Sequence, residues 1–172
     1  MAVTLIAHTE VGAGGASSIE FTSIPATYDD LWLLVSARFS NTNVTYATLY
    51  YRFNSDSATN YSRTLLINNG GNVASSRQTS QTEMNGLGPS STTTTSTFGS
   101  DSLYIPNYKN STNHKQVIRD NIWENNSTTE YWVAGLSHLW RSTSAITSIQ
   151  IGNGFYNFVQ YSSATLYGVT KA

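Results

Sequence analysis

The chain has 172 residues, enough for one domain with its own hydrophobic core, and its net charge is −1. Only 11% of the residues are charged, which argues against a protein that binds nucleic acid by neutralising phosphates with clustered Lys and Arg. The absence of cysteine excludes disulfides, thiolate catalysis and Cys-ligated metals. We predict no cofactor.

Ser, Thr and Asn together contribute 63 residues, so the surface is expected to be polar but mostly uncharged. Aromatic residues make up 12% and apolar residues 39% of the chain, well above the values of disordered proteins. The composition therefore predicts a folded core beneath a surface suited to many neutral hydrogen bonds, to sugars or to neighbouring subunits.

The N-terminus opens with a short apolar strand, predicted over residues 3–9. It has no basic segment and is too short for a signal peptide, and no stretch of the chain reaches the length of a membrane span. We therefore expect a soluble protein made in a cytoplasm, with no membrane partner. Residues 1–17 are interpreted as a contact arm, because Val3, Leu5 and Ala7 form an apolar strand without charge.

Short segments with a period of two residues follow one another, and helical periodicity is nearly absent. The clearest segment is 46–53, in which Ala47, Leu49, Tyr51 and Phe53 share one face. The predicted strands are 3–9, 18–24, 31–39, 46–53, 62–68, 81–87, 101–106, 115–123, 131–140, 146–151 and 164–170. About eleven strands with polar turns predict an all-β fold, a single antiparallel β-sandwich domain over residues 1–172 that resembles a jelly roll.

Large aromatic side chains in strands are usually buried, so the core is expected to take most of the tryptophans, Trp32, Trp123, Trp132 and Trp140. Residues 68–72 contain an Asn-Gly step and predict a hairpin turn. The run 88–100 is a low-complexity loop, either mobile or folded as a polar edge strand.

The segment from Asn54 to Asn60 has two interpretations. Asn54, Asp56 and Asn60 offer alternating oxygen ligands, as a calcium loop does. The segment lacks the glycine and the closing glutamate of an EF-hand, however. The simpler interpretation is that Asn54 and Asp56 cap the backbone of a turn.

No residue pattern in the chain is typical of an active site. His8, His114 and His138 are far apart and none has a companion at metal-binding spacing. Glu124 and Glu130 flank a hairpin loop and could form the carboxylate pair of a polysaccharide-degrading jelly roll. The structural interpretation is a solvated turn, and we expect no enzyme.

Three segments, 19–31, 51–62 and 163–169, resemble small virion structural proteins of tailed bacteriophages, the last through its closing Thr-Leu-Tyr-Gly-Val strand. Taken in order, they span most of the chain. The resemblance implies a non-enzymatic β-sandwich on the outer surface of the particle. In such a group, some proteins are capsid decoration (cement) proteins and others are fibre or receptor-binding modules.

The first hypothesis is a capsid decoration protein, made in the host cytoplasm and located on the capsid surface. It would bind the major capsid protein and other virion proteins as a homotrimer, with Val3, Leu5 and Ala7 in the contact arm. The alternative is a tail-fibre or receptor-binding module that recognises host surface glycans. Neither hypothesis involves nucleic acid.

Overall fold

The computed structural model describes residues 1–126 and 131–171, and these residues form twelve strands and no helix. None of the described residues belongs to a helix that could cross a membrane. The strands are β1 (Ala2–Glu10), β2 (Ser18–Phe21), β3 (Asp30–Ala37), β4 (Tyr46–Phe53), β5 (Tyr61–Asn68), β6 (Val73–Gln81), β7 (Met84–Pro89), β8 (Gly99–Ile105), β9 (Lys115–Trp123), β10 (Trp132–Trp140), β11 (Ile149–Gly152) and β12 (Ser163–Thr170).

The strands form two antiparallel sheets, which confirms the predicted all-β antiparallel sandwich. The larger sheet has the order β1-β12-β3-β8-β9-β10-β5-β6, and the smaller sheet has the order β2-β11-β4-β7. Eight strands follow a jelly-roll path, in which β1, β12, β3 and β8 in one sheet face β2, β11, β4 and β7 in the other. The β5–β6 and β9–β10 hairpins are inserted into this path and widen the larger sheet to eight strands.

The core lies between the sheets, where alternate side chains of each strand point inward. Leu166, Leu33 and Leu103 are paired across β12, β3 and β8, and all three are fully buried. Tyr51 and Ile151 are fully buried side chains that the smaller sheet contributes to the same core. The jelly-roll strands therefore supply most of the main core. The inserted hairpins add Tyr61, Val117 and Trp140 to it and form a small second cluster of Leu65, Ala134 and Leu136.

Strand β6 differs from the predicted pattern. All of its residues except Gln81 are exposed, because it forms the edge of the larger sheet. Its sequence, VASSRQTSQ, has no apolar alternation, so only its pairing with β5 identifies it as a strand. The hairpin turn at 68–72 is confirmed, since it joins β5 to β6, and Gly70 adopts a φ of 91° there.

The tryptophans are divided between the core and the surface. Trp123 and Trp140 are buried, as predicted, and Trp132 is partly buried. Trp32 is 36% exposed and lies on the face of the larger sheet that points away from the core. The exposed Trp32 is therefore an exception that packing of the core does not explain.

The loop within 88–100 closes around a buried cation. The Arg38 guanidinium donates hydrogen bonds to the carbonyl oxygens of Thr93, Thr94 and Thr97, at 3.1, 2.9 and 2.8 Å. It also donates to the Thr93 hydroxyl, and Arg38 is only 7% exposed. Both ends of the predicted loop belong to strands, β7 and β8. The repetition of Ser and Thr gives no indication of this arginine anchor.

We predict that Arg38→Met opens the loop between β7 and β8. The loop loses four charge-assisted hydrogen bonds, three to its carbonyls and one to the Thr93 hydroxyl, so the free energy of unfolding should fall by about 2 kcal/mol. Urea denaturation measures this loss, and subtilisin cleavage mapped by mass spectrometry locates the opening. Arg77→Met, in the exposed strand β6, is the matched control. Equal cleavage rates in wild type and Arg38→Met would contradict the anchor.

Candidate functional site

The candidate site is the outer face of the larger sheet, defined here as the face that points away from the smaller sheet. In β9 the residues alternate strictly between the two faces. Val117, Arg119 and Asn121 point inward and are buried, whereas Ile118 and Ile122 point outward and are 62% and 44% exposed. Two large aliphatic side chains thus face solvent while a charged one is buried beside them.

A row of apolar side chains crosses five neighbouring strands on the outer face. The strand registers place them directly beside one another, and we call them the apolar row: Leu5 in β1, Tyr167 in β12, Trp32 in β3, Tyr104 in β8 and Ile118 in β9. The ring centroids of Trp32 and Tyr167 are 6.2 Å apart. Cross-strand neighbours of this kind pack against each other and form a continuous surface.

Two of the three aromatic rings of the row, those of Trp32 and Tyr104, are held in place by polar contacts. Trp32 Nε1 donates to Ser102 Oγ at 2.9 Å, and the Tyr104 hydroxyl donates to Asp30 Oδ2 at 2.5 Å. This hydrogen bond to Asp30 raises the pKa of Tyr104 to about 12. Rings fixed in this way need less ordering when a partner covers them.

A second apolar patch continues from Ile118 toward β5. Leu66, Ile122 and Val133 are 58%, 44% and 48% exposed on the same face. Gly135 lies between Leu66 and Asp120 in the register and leaves a shallow depression of about 340 Å³, which Ile118 also lines. Because Gly135 has no side chain, the depression offers room for a protruding group of a partner.

Most of the exposed apolar surface of the described residues is concentrated on this face. Of the thirteen large apolar residues with exposed side chains, eight lie here: Val3, Leu5, Trp32, Leu66, Val73, Ile118, Ile122 and Val133. Isolated exposed apolar residues are common in soluble proteins, but a contiguous group marks an interaction site.

The predicted contact arm is an integral strand of the sheet. β1 pairs with β12 along its length, and a bulge interrupts the register between Leu5 and Ala7. Val3 and Leu5 are 46% and 56% exposed on the outer face, whereas Ala7 is partly buried and packs against the core. The bulge therefore separates Ala7 from the other two residues, and their role as capsid contacts stays a prediction.

The histidines are not brought together. His8 is exposed on β1, His114 is exposed before β9, and His138 is buried on β10. Within residues 1–126 and 131–171, no group of three or more His, Asp or Glu side chains could hold a metal ion.

The other polar candidates have local roles. Glu124 Oε1 accepts hydrogen bonds from the backbone of Asn125 and Asn126, whereas Glu130 lies outside the described residues, so the carboxylate pair stays untested. The capping interpretation of the 54–60 turn is confirmed for Asp56, whose carboxylate accepts from Ala58 N. It is wrong for Asn54, whose Oδ1 accepts from Thr147 N at 2.8 Å and so binds the segment before β11 instead of the turn.

A buried ion pair supports the outer face from beneath. Arg119 in β9 is 0% exposed, and its Nε and Nη2 donate to Asp101 in β8 at 2.9 and 2.6 Å. The Tyr51 hydroxyl of β4 donates to the same carboxylate at 2.8 Å, and Arg119 Cζ lies 4.6 Å from the centroid of the Tyr51 ring. Burial disfavours the charged guanidinium, but Asp101 and Tyr51 outweigh burial and raise the pKa of Arg119.

His138 is buried next to this ion pair. His138 lies opposite Arg63 of the neighbouring strand β5 in the register, and it is 1% exposed. Burial, together with the charges of Arg119 and Arg63, lowers the pKa of His138 well below its ordinary value. His138 is therefore neutral at pH 7.

Sequence reasoning did not identify most of the outer face. A partial signal was present at the start of strand 31–39, which is apolar on both faces and therefore includes an apolar side chain on the solvent side. For β9 the signal was misleading, because Ile118 and Ile122 are more apolar than the inward Arg119 and Asn121.

Comparisons of the chain with family models, with curated proteins and with solved structures gave no match. The candidate site is therefore assigned from its chemistry and geometry alone.

We predict that Asp101→Asn destabilises the fold by about 3–5 kcal/mol, because it leaves the buried Arg119 charge uncompensated. Replacing both partners, as in Asp101→Leu with Arg119→Met, should restore most of this loss. Glu83→Gln is the matched control, since Glu83 pairs with Arg52 in a partly exposed salt bridge and should cost less than about 1 kcal/mol. Urea denaturation measures all three variants. Equal losses in Asp101→Asn and Glu83→Gln would refute the special role of the buried pair.

We predict that stability falls as the pH drops from about 7 to about 5 through protonation of His138 in the unfolded chain. Folding lowers the pKa of His138, so the unfolded chain binds the proton more readily than the folded chain. The contribution of His138 to the slope of the free energy of unfolding against pH approaches about 1.4 kcal/mol per pH unit. His138→Leu should reduce this slope in urea denaturation. The NMR signals of the wild-type imidazole should also remain those of the neutral form. Equal slopes in both proteins would contradict the prediction.

Proposed function

We propose that the chain is a non-enzymatic surface protein of a tailed-bacteriophage virion, and that it decorates the capsid. The outer face of the larger sheet docks onto the lattice of the major capsid protein. The observation that carries this proposal is the concentration of exposed apolar side chains on that face, including the apolar row from Leu5 to Ile118. The resemblance to small virion proteins supports the same assignment.

The chemistry of the face suits a permanent contact. Its centre is aromatic and aliphatic, and its surroundings are mostly Ser, Thr and Asn, as in the neutral side chains Ser100, Ser137 and Thr64. Asp120 is exposed between Ile118 and Ile122 and keeps one charge on this face, but the apolar row itself carries none. Docking the row therefore removes few charges from water, so little desolvation opposes the gain from apolar burial. The face lies on a sheet braced by the Arg119–Asp101 pair, so the contact side chains are held in fixed positions.

A homotrimer is part of this proposal. The larger sheet ends in two nine-residue strands, β1 and β6, whose outer edges pair with no other described strand. Free edges of this kind pair with strands of neighbouring copies. Contact between β1 of one copy and β6 of the next is head-to-tail, and three such contacts close a ring when the rotation fits.

The second candidate function is a tail-fibre or receptor-binding module that recognises host glycans. A different observation favours it: the 90%-exposed Phe155 lies next to Tyr156 beside the smaller sheet. Aromatic faces of this kind stack on the apolar faces of sugar rings.

Antibody labelling of intact particles distinguishes the two candidates. An antibody against the chain, viewed by electron microscopy on particles of the phage that encodes it, should label the whole head. Label confined to the tail would overturn decoration in favour of the fibre module. Absence of the chain from purified particles would refute both assignments.

We predict that Leu5→Ser combined with Ile118→Ser weakens binding of the chain to heads that lack it by at least about tenfold, because two apolar contacts of the row are lost. Co-sedimentation with the heads measures the binding. Val44→Ser combined with Tyr161→Ser is the matched control, since these side chains are 45% and 63% exposed outside the apolar row. Equal binding of the two double variants would contradict docking through the outer face.

A further inference from the structure

A cavity of about 290 Å³ lies against the outer surface of the smaller sheet, on the other side of the sandwich from the apolar row. Its lining comes from β2, β4, β11 and the segment between β11 and β12, and includes Ser18, Tyr50, Gln150, Phe155, Tyr156 and Asn157. We propose that this aromatic cavity binds a neutral saccharide.

The aromatic side of the cavity is open to a ligand. Phe155 is 90% exposed, and its ring centroid is 6.4 Å from that of Tyr156. Tyr50 lies across Gly152, where a methyl group would come within 2.6 Å of the Tyr50 hydroxyl oxygen. The absence of a side chain at Gly152 therefore lets the Tyr50 ring lie against the sheet, beside the exposed Phe155 and the partly buried Tyr156. Sugar rings present C–H groups on one face, and these pack on aromatic surfaces of this kind.

The polar side of the cavity is held by a shared acceptor. Ser18 Oγ and Gln150 Nε2 both donate to Glu20 Oε1, at 3.2 and 2.9 Å. These bonds fix the hydroxyl of Ser18 and the amide of Gln150 beside the aromatic rings. A hydroxyl and a primary amide offer both donors and acceptors, which matches the hydroxyl groups of a sugar.

The segment that carries the aromatic residues is fixed by a buried asparagine. Asn153 is 4% exposed, and its Oδ1 accepts hydrogen bonds from the backbone nitrogens of Phe155 and Tyr156, at 3.2 and 2.9 Å. Its Nδ2 donates to the Thr48 carbonyl of β4. Phe155 is therefore exposed on an ordered turn, so little conformational entropy is lost when a ligand stacks on it.

The charges around the cavity determine the class of sugar. No Lys, Arg, Asp or Glu is among the residues that line it. Arg52 lies 4.6 Å over the Tyr50 ring, but its guanidinium is paired with Glu83 at 2.7 Å. An acidic sugar or a phosphate would find no free cation among these groups, so the cavity favours a neutral saccharide.

This inference rests on the second candidate function and deepens it, because it names the ligand class of the surface formed by Phe155 and Tyr156, and it does not depend on capsid decoration. If the apolar row docks on the capsid, the aromatic cavity faces away from the lattice and stays accessible. Loss of saccharide binding and loss of head binding are thus separate results, caused by changes on opposite sheets.

Saturation-transfer NMR with the full chain tests the proposal. The probes are glucose, galactose, N-acetylglucosamine and the acidic sugar N-acetylneuraminic acid. We expect transfer to at least one neutral sugar, and Phe155→Ala should weaken that binding by about tenfold with an unchanged unfolding midpoint. Tyr161→Ala is the matched control, because Tyr161 is 63% exposed and does not line the cavity.

Three results would overturn the proposal: no transfer to any neutral sugar, transfer that Phe155→Ala leaves unchanged, or stronger transfer to the acidic sugar. Binding of Phe155→Ala to capsid heads should equal that of wild type, which keeps this test separate from the docking test.

Discussion

The ion pair between Arg119 and Asp101 is the constraint on which the rest of the structure depends. It joins β9 to β8 and, through the Tyr51 hydroxyl, to β4 of the opposite sheet. Both charges are removed from water, so they are tolerable only when all three groups meet. A shift of β9 by one residue would point Arg119 to solvent and break this arrangement. We infer that the pair fixes the register of β9 as well as the separation of the two layers.

The same constraint creates the candidate docking face. Once Arg119 points inward, the alternation of the strand forces Ile118 and Ile122 outward. Ile118 then completes the apolar row that begins at Leu5, and Ile122 joins the patch around Gly135. A soluble protein with no partner gains nothing from this arrangement, since apolar side chains at these positions stay in water. The buried charge and the exposed apolar surface are two consequences of one orientation of β9.

The inserted hairpins give the two sides of the sandwich different characters. They widen the larger sheet to eight strands, so its outer face is broad enough for an extended contact. The smaller sheet keeps four strands, and its outer surface is bordered by the turn that holds Phe155. One side therefore suits a lattice of protein subunits, and the other suits a small polar ligand. The proposed decoration and the proposed saccharide site use these separate surfaces.

The sequence by itself determined the all-β class, most strand positions and the turn capped by Asp56, because alternation and turn chemistry act between residues close in the chain. It did not determine strand β6, which has no apolar pattern, or the bulge that separates Leu5 from Ala7. Nor did it indicate the apolar row, whose members lie on five strands far apart in sequence. Only the tertiary structure decided these features, since strand pairing brings distant residues together and a buried charge can outweigh the hydropathy of its neighbours.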